Sequence, residues 1–114
     1  MAVSESFSNY VLEQLIPFGP VIARKMFGGM GLFCNNIMFG LIANDVLYFK
    51  MDDSNRADYI NSGMGPFKPF ANKPMVMPYF EVPADVLEDR TILVSWAAKA
   101  FEVAIKSSKG KKRF

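Results

Sequence analysis

Residues 37–50 read IMFGLIANDVLYFK, and the Asn44-Asp45 pair between two apolar runs constrains the fold more than any other feature. Asn and Asp tolerate the positive φ angles of a two-residue hairpin turn, so such a pair between strand-forming runs reads as a tight reversal. Asn35-Asn36 repeats the device upstream, between GLFC and IMFG, and VIARKMF supplies a further run ahead of it. An antiparallel meander is the expected result. IMFGLIA is apolar at successive positions, which predicts a strand buried on both faces, or on one face with the other covered by a partner. Gly40 in its middle marks a bulge or a close backbone approach.

The stretch RKMFGGMGLF at 24–33 places Gly28, Gly29 and Gly31 directly after a basic pair, which raises the question of a phosphate-gripping loop. A P-loop requires GxxxxGK[ST] at a strand-to-helix junction, and a dinucleotide fingerprint requires GxGxxG in the same setting. Neither pattern is present, and the flanks are β-like on both sides. Gly28, Gly29 and Gly31 therefore read as a structural turn, a strand-to-strand bend with a bulge.

Helical signals bracket the meander. Ser4 is an N-cap for a run in which Phe7, Val11 and Leu15 recur on one side and Glu5, Asn9 and Glu13 on another, until Pro17 ends it. DDSNRADYINSG reads as a short helix capped by Asp52 or Asp53 and stopped by Gly63. A Gly/Pro/aromatic loop, GMGPFKPFANKP, precedes the strand candidate PMVMPYFEVP, whose Pro78 points to a sheet edge or bulge. The last helix starts at Asp89 or Thr91 and repeats Ile92, Trp96, Ala100 and Ala104 along one side, joined by Leu93, Ala97 and Phe101. Ser95, Lys99, Glu102 and Lys106 form the opposite stripe. The expected architecture is α+β, an antiparallel β-meander with N-terminal, middle and C-terminal helices packed mainly on one face.

Composition limits the chemistry. A chain of 114 residues, 51% hydrophobic and 14% aromatic, has the size and apolar content of one domain, set here at 1–105. No stretch approaches the roughly 20 apolar residues of a membrane span, and the N-terminus lacks a signal pattern, so a cytoplasmic protein without membrane contact is expected. There is no histidine, which removes the usual general base and the commonest metal ligand. The single cysteine, Cys34, has no such base and reads as a packing residue. No catalysis, no metal and no cofactor are expected.

Charge is unevenly distributed. From Lys106 onward the chain carries five basic residues and no acidic one, leaving eight basic against eleven acidic in the body, a balance of −3. Residues 106–114 read as a basic, solvated tail, whose Lys109, Lys111, Lys112 and Arg113 are the candidates for weak, nonspecific nucleic-acid contact. Eight methionines and abundant Phe would supply an adaptable apolar patch if one sheet face is bare, which marks a protein partner or a homodimer.

RKMFGGMGLF, IMFGLIANDVLYFKMDDSNRADYINSG, PFKPF, MPYFEVP and LVSWAAKAFEVA, in this order and spacing, resemble the N-terminal domain of the TfoX/Sxy proteins, from about Val21 to Ala104. The resemblance implies an α+β fold and an association with bacterial regulators of natural competence that act with the cyclic-AMP receptor protein. It implies a regulatory interaction module within the transcription machinery, not an enzyme. Positions matching the family's recurrent ones are Arg24, Met26, Phe27, Gly28, Gly29, Gly31, Tyr48, Lys50, Tyr79, Pro83 and Trp96. Their polar members, Arg24, Lys50 and Tyr79, are the expected partner-contact residues. The full-length regulators carry a second, C-terminal domain where this chain has its basic tail, so a stand-alone N-terminal domain is expected.

Overall fold

The computed structural model describes residues 4–26, 29–67 and 78–111, with side chains described through residue 107. Helix α1 spans Glu5–Gln14; its Ser4 cap accepts a hydrogen bond from the Phe7 amide at 3.2 Å. A single 3-10 turn, Ile16–Phe18, follows with Pro17 in its first positions. Five strands lie side by side in the order in which they occur along the chain, the last of them after a short helix: β1 Ile22–Met26, β2 Gly29–Cys34, β3 Ile37–Ala43, β4 Val46–Lys50 and β5 Tyr79–Glu81. Every pairing is antiparallel.

The turns obey the local chemistry. Asn35, Asn36, Asn44 and Asp45 all hold positive φ, between 52° and 64°, the left-handed pair that a type I′ hairpin demands. Between β2 and β3 the register slips at Leu32/Phe33, where Leu32 faces Gly40 and Phe33 faces Met38, so Phe39 is the extra residue of a bulge. Gly40 sits beside it because a Cβ there would lie 3.0 Å from the Tyr48 carbonyl oxygen on β4.

Helix α2, Arg56–Ile60, and α3, Ala84–Glu88, are single turns, whereas α4 runs for 22 residues, Arg90–Lys111. The expected capping of α2 by Asp52 or Asp53 is corrected by the structure. Its N-cap is Asn55, which makes no side-chain cap bond; instead Asn55 ties the end of β4 to the turn, accepting from the Asp52 amide and donating to the Lys50 carbonyl. Asp52 is occupied inside that turn, accepting from both the amide and the hydroxyl of Ser54, and the hydroxyl bond holds its carboxyl below the usual range. Gly63, with φ of 75°, closes the helix: its amide reaches Ile60 and the Met64 amide reaches Tyr59, the paired bonds of a Schellman motif. Helix α3 occupies a stretch with no assigned element in the sequence reading.

Asp89 caps α4 through the Ile92 amide at 3.2 Å. The buried side of this helix is Leu93, Ala97, Ala100, Val103 and Ala104, while Ile92, placed in the core stripe by spacing, is 43% exposed. Steps of four residues drift around a 3.6-residue helix by about 120° over twelve residues, so a line through 92, 96, 100 and 104 leaves the core at its start. The alanines let α4 approach β3 and β4 closely, and Phe39 meets Phe18, Phe49 and Phe101 with ring centroids 5.2–6.2 Å apart. All four helices contribute to one core against the face that carries Leu32, Cys34, Ile42, Leu47 and Phe49. Gln14 fastens α1 to the other helices, donating to the Leu87 carbonyl and accepting from the Arg90 guanidinium. Among the described residues, no helix is long and apolar enough to cross a membrane.

Candidate interaction surface

With the helices on one face, the opposite face is built from the alternate residues of each strand. Its register gives a continuous row, Arg24, Gly31, Leu41, Tyr48 and Glu81, one residue from each strand in order. A parallel row holds Lys50 opposite Tyr79. The three residues expected to contact a partner thus share this face, but they are not gathered at one point. Lys50 and Tyr79 meet, with the Lys50 ammonium 5.2 Å from the Tyr79 ring centroid, whereas Arg24 lies on β1, three strands from β4 and about 14 Å away in the pairing direction.

Their exposure separates them further. Tyr79 is only 5% exposed, and burial pushes its hydroxyl up to about 12. It serves as packing beneath Lys50. Tyr48 is half-buried under Phe67, whose ring centroid lies 4.9 Å away, and burial together with the Glu81 carboxylate opposite raises its pKa. Arg24 remains exposed, its guanidinium 5.0 Å from the Phe33 ring centroid. Gly31, directly across from Arg24, makes room for this arrangement, because a Cβ there would lie 3.0 Å from both Met26 Sδ and Phe33 Cε1.

Of the glycines read as a turn, Gly29 and Gly31 lie in β2, and Gly28 falls outside the described residues. Gly29 pairs with Met26 and packs so closely on β3 that any Cβ would overlap the Ile42 carbonyl oxygen. The candidates for nucleic-acid contact divide likewise. The backbone of α4 continues through Lys109 to Lys111, with their side chains outside the description, and Lys112 and Arg113 lie outside it altogether.

The two edges of the sheet differ. Beyond β5, Gly65–Phe67 runs alongside, with the Glu81 amide donating to Gly65 and the Phe67 amide to Tyr79. No described backbone group pairs with the outer side of β1. That edge carries adjacent exposed cations, Arg24 and Lys25, neither of them ion-paired among the described residues, and Ile22 is 57% exposed. Lys25 was not among the contact residues expected from the sequence. Among the described residues no group of three or more Cys, Asp or Glu gathers where a metal would bind.

Residues 13–104 match the family model of the TfoX N-terminal domain. The chain belongs to that family. The match runs from the end of α1 into α4, so the TfoX N-terminal domain accounts for the whole sheet, α2, α3 and most of α4. No curated protein matches this TfoX domain.

Proposed function

We propose that this TfoX N-terminal domain is a cytoplasmic, non-enzymatic module of transcription control that acts by binding another protein, with the cyclic-AMP receptor protein or another part of the transcription machinery as the partner. Family membership supports the competence-regulator character of the domain. The observation that carries the contact reading is the β1 edge, where backbone unpaired among the described residues, two exposed cations and an exposed isoleucine coincide on one strand. Desolvating such a strip requires a partner that supplies both hydrogen bonds and negative charge. The experiment is a calorimetric titration of purified cyclic-AMP receptor protein, and separately of RNA polymerase, with the intact chain and with Arg24→Glu. Saturable binding to either protein, weakened at least about tenfold by the charge reversal, is the expected result. Absence of binding to both would overturn the reading.

A second reading, nonspecific nucleic-acid binding through Lys109, Lys111, Lys112 and Arg113, draws support from the unbroken course of α4 past Ile105 to Lys111. A helical continuation carries the first of these charges on the domain itself.

A further inference from the structure

We infer that β1 accepts an extended, acidic segment of a partner protein as a sixth strand, with an apolar residue of that segment entering the cleft where the chain leads into β1. The inference rests on the protein-contact reading above and deepens it. Three observations lead to it.

First, among the described residues only one edge of the sheet is open to a further strand. The β5 edge is only three residues long, follows Pro78, and is already paired with Gly65–Phe67. β1 has five residues in extended conformation, and its outer side is unpaired among the described residues. A row of unsatisfied amides and carbonyls on a strand held in register by its inner neighbour is a template for main-chain pairing.

Second, charge selects the occupant. Arg24 stands at the centre of β1 with Lys25 beside it, and their side chains fall on opposite faces of the sheet. An incoming strand therefore meets a cation on either face, and two adjacent acidic residues answer both. A second copy of this chain does not. Antiparallel self-pairing about the centre of β1 sets Arg24 against Arg24, the like-charge arrangement by which natural edges resist self-association.

Third, a receptor for a side chain adjoins the strand. A cleft of about 610 Å³ is lined by Leu12, Ile16, Pro20 and Val21, together with Asn9 and Glu13. Val21 leads directly into Ile22, so the cleft opens at the start of β1. Ile16, in that lining, is 67% exposed, the largest exposure of any large apolar side chain among the described residues. Glu13 disfavours an acidic residue there, which places the apolar residue of an antiparallel segment after its acidic pair. Strand addition with main-chain bonds for affinity and a side-chain pocket for specificity is an established mode of peptide recognition.

The test uses a fluorescein-labelled peptide, acetyl-Thr-Glu-Glu-Thr-Val-Ile-Thr-amide, titrated with the full chain and followed by anisotropy. The expected result is saturable binding that weakens with salt and falls about tenfold in each of Arg24→Glu, Lys25→Glu and Ile16→Asp, all exposed positions whose folding is checked by circular dichroism. Two versions of the peptide, N-methylated at alternate amides, separate strand pairing from simple charge attraction: one set must abolish binding and the other leave it unchanged. Amide shifts of Ile22–Met26 must move on binding. Equal tolerance of both methylated peptides, unchanged binding by the charge-reversal variants, or no binding at low ionic strength would overturn the inference. So would a stable homodimer in sedimentation that excludes the peptide. Because the peptide stands in for the partner, peptide binding without binding to the receptor protein or polymerase would fall on the proposed function alone. The converse would fall on strand addition alone.

Discussion

Among the described residues Tyr59 is the largest side chain fully buried in the core, and none of them offers its hydroxyl a hydrogen-bond partner. Its ring is well placed, with Trp96 at 4.8 Å and Phe80 at 5.9 Å in edge-on contacts that join α2 to α4 and β5. The ring therefore stabilises while the hydroxyl costs. Leaving a buried polar atom unpaired costs roughly 1–3 kcal/mol, so Tyr59→Phe is expected to be neutral or to stabilise by about 1 kcal/mol in urea unfolding. A loss of that size would instead reveal a bound water satisfying the hydroxyl. Tyr79 carries a different consequence of burial. Its pKa is pushed from 10.0 up to about 12, so above pH 10 the unfolded chain loses the proton that the folded chain retains. The stability that Tyr79 contributes is therefore constant below pH 10 and is lost between about 10 and 12. Burial raises Tyr48 and Tyr59 as well, with the Glu81 and Asp58 carboxylates reinforcing the shift, so all three act in the same direction. Urea midpoints measured across this window are expected to decline, and Tyr79→Phe is expected to make the decline shallower. An identical slope in the variant would mean that Tyr79 is solvated in the folded protein.

At the level of elements, the hairpin turns decide the sheet. The pairs Asn35-Asn36 and Asn44-Asp45 each hold two consecutive residues at positive φ, and a shift of one residue there would turn every side chain of β3 to the wrong face. Asn36→Gly should be tolerated, since glycine is the preferred second residue of such a turn, whereas Asn36→Val should cost about 1–2 kcal/mol by forcing a β-branched residue into the left-handed region. Equal urea midpoints for the two variants would show that the turn does not set the register. These turns were legible in the sequence because their chemistry is local: Asn and Asp between apolar runs carry the same meaning in any context. The same is true of Ser4 and Gly63. What escaped reading depends on partners distant in sequence. The capping role expected of Asp52 is an exception, a local competition in which the Ser54 hydroxyl and amide claim its carboxylate, while α3 fully buries Val86 alone, too little for a periodic signal. Arg24 was singled out in the sequence and its neighbour Lys25 was not, since only the strand order makes β1 an edge. Tyr79, expected at a partner contact, is 5% exposed, because sequence alternation does not reveal how deeply a face is packed.

For the whole molecule the decisive quantity is how charge is divided along the chain. A body with balance −3 is joined to a C-terminal segment with five cations, and α4 physically links them, running from its Asp89 cap through the core-packing alanines to Lys111. A polyanion such as duplex DNA is repelled by the first and attracted by the second, so the protein-contact and nucleic-acid readings make separable demands on the same chain. Each phosphate neutralised by a lysine or arginine releases counterions, and up to five such contacts would give a log-log salt slope of at most about −4 to −5. Ending the chain at Ile105 removes all five cations while retaining Leu93, Ala97, Ala100, Val103 and Ala104, the buried face of α4. The shortened chain is therefore expected to keep its fold, lose any affinity for labelled duplex DNA at low salt, and bind the acidic peptide at β1 as the full chain does. Anisotropy titrations of both ligands with both chains read the two activities side by side. DNA binding that survives the truncation would require a phosphate-binding surface on the body, and Arg24 and Lys25 would then be its first candidates; loss of peptide binding on truncation would tie the β1 edge to the end of α4, a coupling that the sheet order alone does not provide.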